Sequence, residues 1–131
     1  MTAFRPIEEL VPLRIWQGVV GRALEGELMT LAVIELDPDT LVPEHSHVNE
    51  QVGVLVQGSL SMSIGDERRA LTPGCGWVVP ANAPHEVRTG PRGAVVVEAF
   101  APSRDDWQRL ERLEPARARW PEPDSGVSAQ S

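Results

Sequence analysis

The 131-residue chain has three histidines, and their spacing is the first chemical signal. His45 and His47 stand two apart in a predicted strand, where side chains alternate, so they face one side. Gln51 opens the next predicted strand, and a short hairpin folds it back beside the pair. His85 follows Pro84 at the start of a later strand. If these strands share a barrel, the four side chains meet at one point inside it. A single histidine is more often an ordinary hydrogen-bonded residue. A paired set with a third member beyond a Gly/Pro-rich loop points to a metal, because imidazole is the commonest metal ligand. One divalent transition metal is expected: Zn, Ni, Mn or Fe.

A second group lies further on. Glu98 is the one acid in the apolar run Ala94–Phe100, and Phe100 shares its face. If that face lines the barrel, Glu98 is a buried carboxyl near a cation. Desolvation would raise its pKa and the cation would lower it, which suits a general acid/base. If the face is solvated, Glu98 is a routine surface acid. Arg104 could clamp a ligand carboxylate with its planar fork. On spacing alone, a surface salt bridge to Asp105 or Asp106 is the better reading.

The elements that must position these residues are short. Glycines and prolines punctuate runs of Val, Ile and Leu, the rhythm of strands joined by tight turns in a sandwich or barrel. Residues 1–12 read as an irregular lead-in, and Arg14–Glu25 as one or two strands. Leu28–Leu36, Leu41–His47, Gln51–Gln57, Leu60–Ile64, Glu67–Leu71, Gly76–Val79, His85–Arg88 and Ala94–Phe100 are predicted strands. Gly58-Ser59 and Gly90-Pro91 read as turns. A helix is predicted from an N-cap at Ser103, with Trp107, Leu110 and Leu113 on one face and Pro115 as its stop. No internal repeat supports a solenoid or propeller.

Composition narrows the function. Twelve basic against 19 acidic residues leave a net charge of −7. That argues against nucleic-acid binding and against anionic membrane surfaces. The single cysteine, Cys75, excludes an intramolecular disulfide and a cysteine-rich zinc module. It reads as a turn or core residue, since no basic neighbour would lower its pKa. Trp16 and Trp77 are packing residues or cavity lining. The opening MTAFRPIEEL has no basic region before an apolar run, so no secretory signal is expected. Apolar stretches fall far short of the ~20 residues a membrane helix needs. A cytoplasmic location is expected, with one domain over residues 1–120 and a disordered tail over 121–131.

The segment His45-Ser-His47-Val-Asn-Glu50-Gln51, continuing to Gly58, resembles the first motif of the cupin family, G-x5-H-x-H-x3-E-x6-G. The segment Gly74 to Pro80, Asn82, His85 and Thr89 resembles the second, G-x5-P-x-G-x2-H-x3-N. Asp39 stands at the first motif glycine, Asn82 at the glycine after the proline, and Thr89 at the final asparagine. Gln51 stands at the glutamate ligand position. Glu50 is one residue early, on the opposite face of a strand. The resemblance implies the metal ligands His45, His47, Gln51 and His85, with Glu50 the alternative to Gln51. It implies an all-β antiparallel barrel of the jelly-roll type with a short C-terminal helix. Three imidazoles and an amide leave the metal's charge uncompensated, which favours Lewis-acid over redox chemistry.

The string Val-Val-Val-Glu98-Ala-Phe100-Ala-Pro102-Ser-Arg104 resembles the C-terminal signature of the pectin-degradation cupins. Those proteins open 4,5-unsaturated uronates to 5-keto-4-deoxyuronate. The resemblance implies catalytic roles for Glu98, Phe100 and Arg104, with Glu98 where the family typically has Asp. It also implies a sugar-acid substrate and a homodimer. The alternatives are a metal-dependent dioxygenase, a non-catalytic sugar-acid-binding cupin, and an isomerase of another enolisable carbonyl compound.

Overall fold

A computed structural model describes residues 2–122. Nine strands follow a short 3-10 turn at Ile7–Glu9: β1 (Leu13–Trp16), β2 (Val19–Glu25), β3 (Thr30–Leu36), β4 (Leu41–His45), β5 (Glu50–Ile64), β6 (Glu67–Leu71), β7 (Gly76–Val79), β8 (His85–Ala101) and β9 (Glu111–Arg112). Every pairing is antiparallel, in the order β6-β5-β8-β3-β2-β1-β9, with β4 on β8 and β7 on β5. This is the expected jelly-roll barrel. No helix among the described residues is long and apolar enough to cross a membrane.

Two pairs of predicted strands are single strands. β5 runs through Gly58-Ser59 and β8 through Gly90-Pro91. The glycines bend these strands rather than end them. Gly58 has a φ of 85° and Gly93 of 71°, and the bare Cα of Gly58 lies against the carbonyl of Gly93. No side chain fits there. Each long strand therefore changes partners midway: β5 from β7 to β6, and β8 from β4 to β3. The ladder shifts register at the bend, between Leu55 and Gln57 and between Gly58 and Leu60.

The predicted helix beyond Ser103 is a five-residue 3-10 turn, Asp105–Arg109. The residue before it is Arg104, and no side chain caps it. The chain then turns back to pair with β1, placing Arg112 opposite Leu13. That ladder, together with the bond from Leu113 N to Pro12 O at 2.9 Å, takes the residues a longer helix would need. Trp107 is buried as the apolar stripe predicts. Most of the tail expected at 121–131 lies outside the described residues.

The two family glycine positions that lack glycine keep its conformation. Asp39 has a φ of 52° and Asn82 of 66°, and Asp and Asn tolerate this left-handed region best. Thr89, at the family's asparagine position, donates to Asp37 O at 2.7 Å and accepts from Thr40 N at 2.8 Å. It ties β8 to the β3–β4 turn.

Candidate metal centre and its cavity

Cross-strand register builds the site. His45 on β4 stands opposite His85 on β8. Gln51 on β5 stands opposite Phe100 on β8 and Val79 on β7. One row further along the same inner face, Ala32, Glu98, Gly53 and Trp77 are neighbours across β3, β8, β5 and β7. His47 differs from expectation, because β4 ends at His45. Its loop is held by a bond from Asn82 N to His47 O at 2.8 Å. A register shift after Val42, where Pro43 enters, also separates His45 from simple alternation.

The imidazoles nevertheless converge. One potential ligand atom from each of His45, His47 and His85 lies within 4.8 Å of the others. Each Nδ1 faces a main-chain carbonyl: Pro43 O at 2.8 Å, Asn49 O at 3.0 Å and Ala83 O at 2.9 Å. A carbonyl can only accept, so each Nδ1 carries the proton and each Nε2 presents a lone pair. Metal-bound histidines are oriented in this way. Nε2 of His85 is buried without a hydrogen-bond partner.

Gln51 lies beside the imidazoles. Its side-chain nitrogen donates to Glu98, which turns Oε1 toward His47 Nε2 at 3.0 Å. Two acceptors at this separation repel unless a cation sits with them. A proton is a poor candidate, since burial lowers the His47 pKa and the Arg104 charge lowers it further. Burial also drives His85 down to about 4. Neutral lone pairs, an orphaned buried nitrogen and an amide oxygen aimed at the same point fit a divalent metal. Glu50, the alternative to Gln51, is exposed and stands on the outer face opposite Ala101.

Glu98 is buried, not a solvated surface acid. Its Oε2 accepts from Trp77 Nε1 at 2.9 Å and from Gln51. Burial raises its pKa, against the opposite pull of the Trp77 and Gln51 donors and of Arg104. Gly53 sits between Glu98 and Trp77. A Cβ there would lie 2.7 Å from Trp77 Nε1 and 2.8 Å from Glu98 Cγ.

Arg104 and Asp106 meet at the cavity wall, as the salt-bridge reading has it, yet both also line the cavity. The guanidinium lies over Phe100 and Trp107. Sequence reasoning passed over Gly53, Asn49 and Thr30, and left Trp77 between packing and lining. No motif marks them, although a glycine inside an apolar strand is a recognised sign of close approach. Cys75 is exposed and apart from the site. The cavity measures about 230 Å³, and most of its wall is apolar.

An antiparallel jelly-roll barrel with a cluster of imidazoles facing its interior defines the cupin class. The Cupin domain model matches residues 32–100, more than half of the chain, and the protein belongs to that family. Two solved structures share the fold at 23% identity. KdgF from a Halomonas species aligns over 81% of this chain and 98% of its own, with a TM-score of 0.73. An RmlC-like cupin from Shewanella frigidimarina aligns over 81% and 96%, with a TM-score of 0.74. H2HPP isomerase of Bacillus subtilis is 40% identical over 52 residues, which are 39% of this chain and 22% of that protein. The match thus spans less than a quarter of that relative.

Proposed function

We propose that the protein is a metal-dependent isomerase that opens 4,5-unsaturated uronates to 5-keto-4-deoxyuronate, with His45, His47, Gln51 and His85 as ligands. The observation that carries this reading is Glu98. A buried carboxyl, oriented by Trp77 and Gln51, faces the same cavity as three imidazoles, a phenyl ring and a guanidinium.

The reaction needs no oxidant. The C1 hydroxyl of the cyclic hemiacetal loses its proton, the bond from C1 to the ring oxygen breaks, and an aldehyde and an enol result. The enol then gains a proton at C4 as its hydroxyl proton leaves, and becomes the C5 ketone. A bound divalent metal supplies Lewis-acid polarisation of a substrate oxygen. Glu98 moves the proton, its carboxyl oriented by the Trp77 and Gln51 donors. Phe100 packs on the sugar face. Arg104 holds the carboxylate, as guanidinium forks do. At about 230 Å³ the cavity suits a monomeric acid rather than an oligomer.

The test follows the loss of conjugated ultraviolet absorbance of 4,5-unsaturated galacturonate with metal-loaded protein. Buffer and chelated protein are the controls, because the substrate also opens spontaneously. Metal-dependent acceleration that Glu98→Gln abolishes, with metal still bound, is the expected result. Equal rates with and without protein overturn the reading.

A second reading uses the same residues on a different enolisable carboxylate. The largely apolar cavity wall favours a substrate with fewer hydroxyls, and the partial match to an isomerase agrees. A 2-oxo acid with an apolar tail, assayed for enolisation by deuterium exchange, separates the two.

A further inference from the structure

Arg104 is fixed in place, and its partner is not. The guanidinium carbon lies 4.9 Å from the centre of the Phe100 ring and 4.7 Å from that of Trp107. Arg104 N donates to Thr30 Oγ1 at 2.9 Å. The preceding chain is pinned by Asn49, whose amide donates to Pro102 O at 2.6 Å and to Ser103 O at 3.3 Å. None of these contacts involves Asp106. Yet Asp106 takes one complete edge of the guanidinium: Nε to Oδ1 at 3.0 Å and Nη2 to Oδ2 at 2.9 Å. The Arg104 side chain is 12% exposed and that of Asp106 is 56% exposed. The acid can swing into solvent, while the arginine is held by two rings and cannot follow it.

We propose that Asp106 is an internal competitor: its carboxylate holds the fork of Arg104 that an incoming ligand carboxylate takes, and so sets how tightly the cavity binds carboxylates. This rests on the reading of the cavity as a carboxylate site, but not on the uronate reaction. A positioning role for Asp106 predicts the opposite sign. If Asp106 aligned Arg104, its removal would weaken carboxylate binding. The rings, Thr30 and Asn49 already supply that alignment, so removal of the negative charge strengthens binding instead. Ligands without a carboxylate do not displace Asp106 and do not register the change.

The test measures binding of galacturonate and of galactose to the metal-loaded 131-residue chain by calorimetry. Tryptophan fluorescence in a Trp16→Phe background, with Trp107 stacked on Arg104, is the second readout. Asp106→Asn is expected to bind galacturonate roughly three- to fivefold more tightly, the range of a partly exposed ion pair, with galactose binding unchanged. Asp106→Ala removes any residual acceptor and is expected to shift binding the same way. In an Arg104→Ala background the Asp106 substitutions are expected to have no effect on galacturonate. Unchanged or weaker galacturonate binding in both Asp106 variants overturns the proposal, as does an undiminished gain without Arg104. Tighter binding without turnover of the unsaturated uronate leaves the proposal standing and removes the uronate reaction. Turnover with unshifted binding does the reverse.

Discussion

Trp77 Nε1 donates to Glu98 Oε2 at 2.9 Å across a strand that separates the two residues. Trp77 lies on β7 and Glu98 on β8, and both pair with Gly53 of β5. The bond is possible because Gly53 has no side chain to block it. An acid in an apolar strand is thereby supported from two strands away, and its orientation belongs to the sheet rather than to a loop.

Trp77→Phe keeps most of the ring and removes the donor. Hydrogen bonds to charged groups contribute about 1.5–3 kcal/mol, so uronate opening is expected to fall about tenfold to a hundredfold. Metal content should be unchanged, because Trp77 is no part of the imidazole cluster. Steady-state assays with metal analysis on the same preparations check both points.

Gly53→Ala adds a methyl where Trp77 and Glu98 already meet. Overpacking of this kind costs about 1–3 kcal/mol, read from urea unfolding. Activity should fall further than stability alone explains, since the displaced atoms include the Glu98 carboxyl. An alanine variant with wild-type turnover would show that Glu98 can move without consequence.

Metal is expected to stabilise the fold through the imidazole cluster. At a hundredfold excess over its dissociation constant a ligand adds about 2.7 kcal/mol. Melting of the chelated chain with and without added Zn or Ni should show a clear upward shift. His85→Ala should lose that shift together with the bound metal, whereas Glu98→Gln should keep both.

Arg22 lies on the opposite side of the sheet, is 1% exposed and bonds Glu35 Oε2 at 2.8 Å and Ala116 O at 2.8 Å. Arg22→Met leaves Glu35 with the Arg119 contacts alone. Breaking a buried pair from one side costs about 3–5 kcal/mol, so the urea midpoint should fall substantially. Turnover at low temperature should persist, because Arg22 is remote from the cavity.

The barrel class and its strands were legible because hydrophobic alternation and glycine punctuation are local signals. The His45-x-His47 pair, Gln51, His85 and Glu98 were legible as candidates through their spacing on predicted strands and their resemblance to the cupin motifs. Three things were not. Gly58-Ser59 and Gly90-Pro91 read as turns, because a bend and a reversal use the same residues and only the pairing of β5 with β8 distinguishes them. The helix after Ser103 was overextended, because the competing partner of Glu111 and Arg112 lies at the other end of the chain in β1. The support of Glu98 by Trp77 through Gly53 depends on register between three strands, which no single segment encodes.

The pairing of β5 with β8 also bears on how the chain reaches this state. Their ladder joins Glu50 to Ala101 and Ile64 to His85, and β3 joins β8 from Thr30 to Phe100, so the central contacts are non-local in sequence. Topologies of this kind fold on a millisecond-to-second scale, because long loops must close first. Until they close, the run Ala94-Val95-Val96-Val97 is an unpaired apolar β-strand, the type of segment that seeds aggregation. Glu98 interrupts that run directly. A charge at this place in the run is the position a gatekeeper takes, so Glu98→Gln is expected to raise the share of insoluble protein on expression, read from the soluble fraction beside wild type.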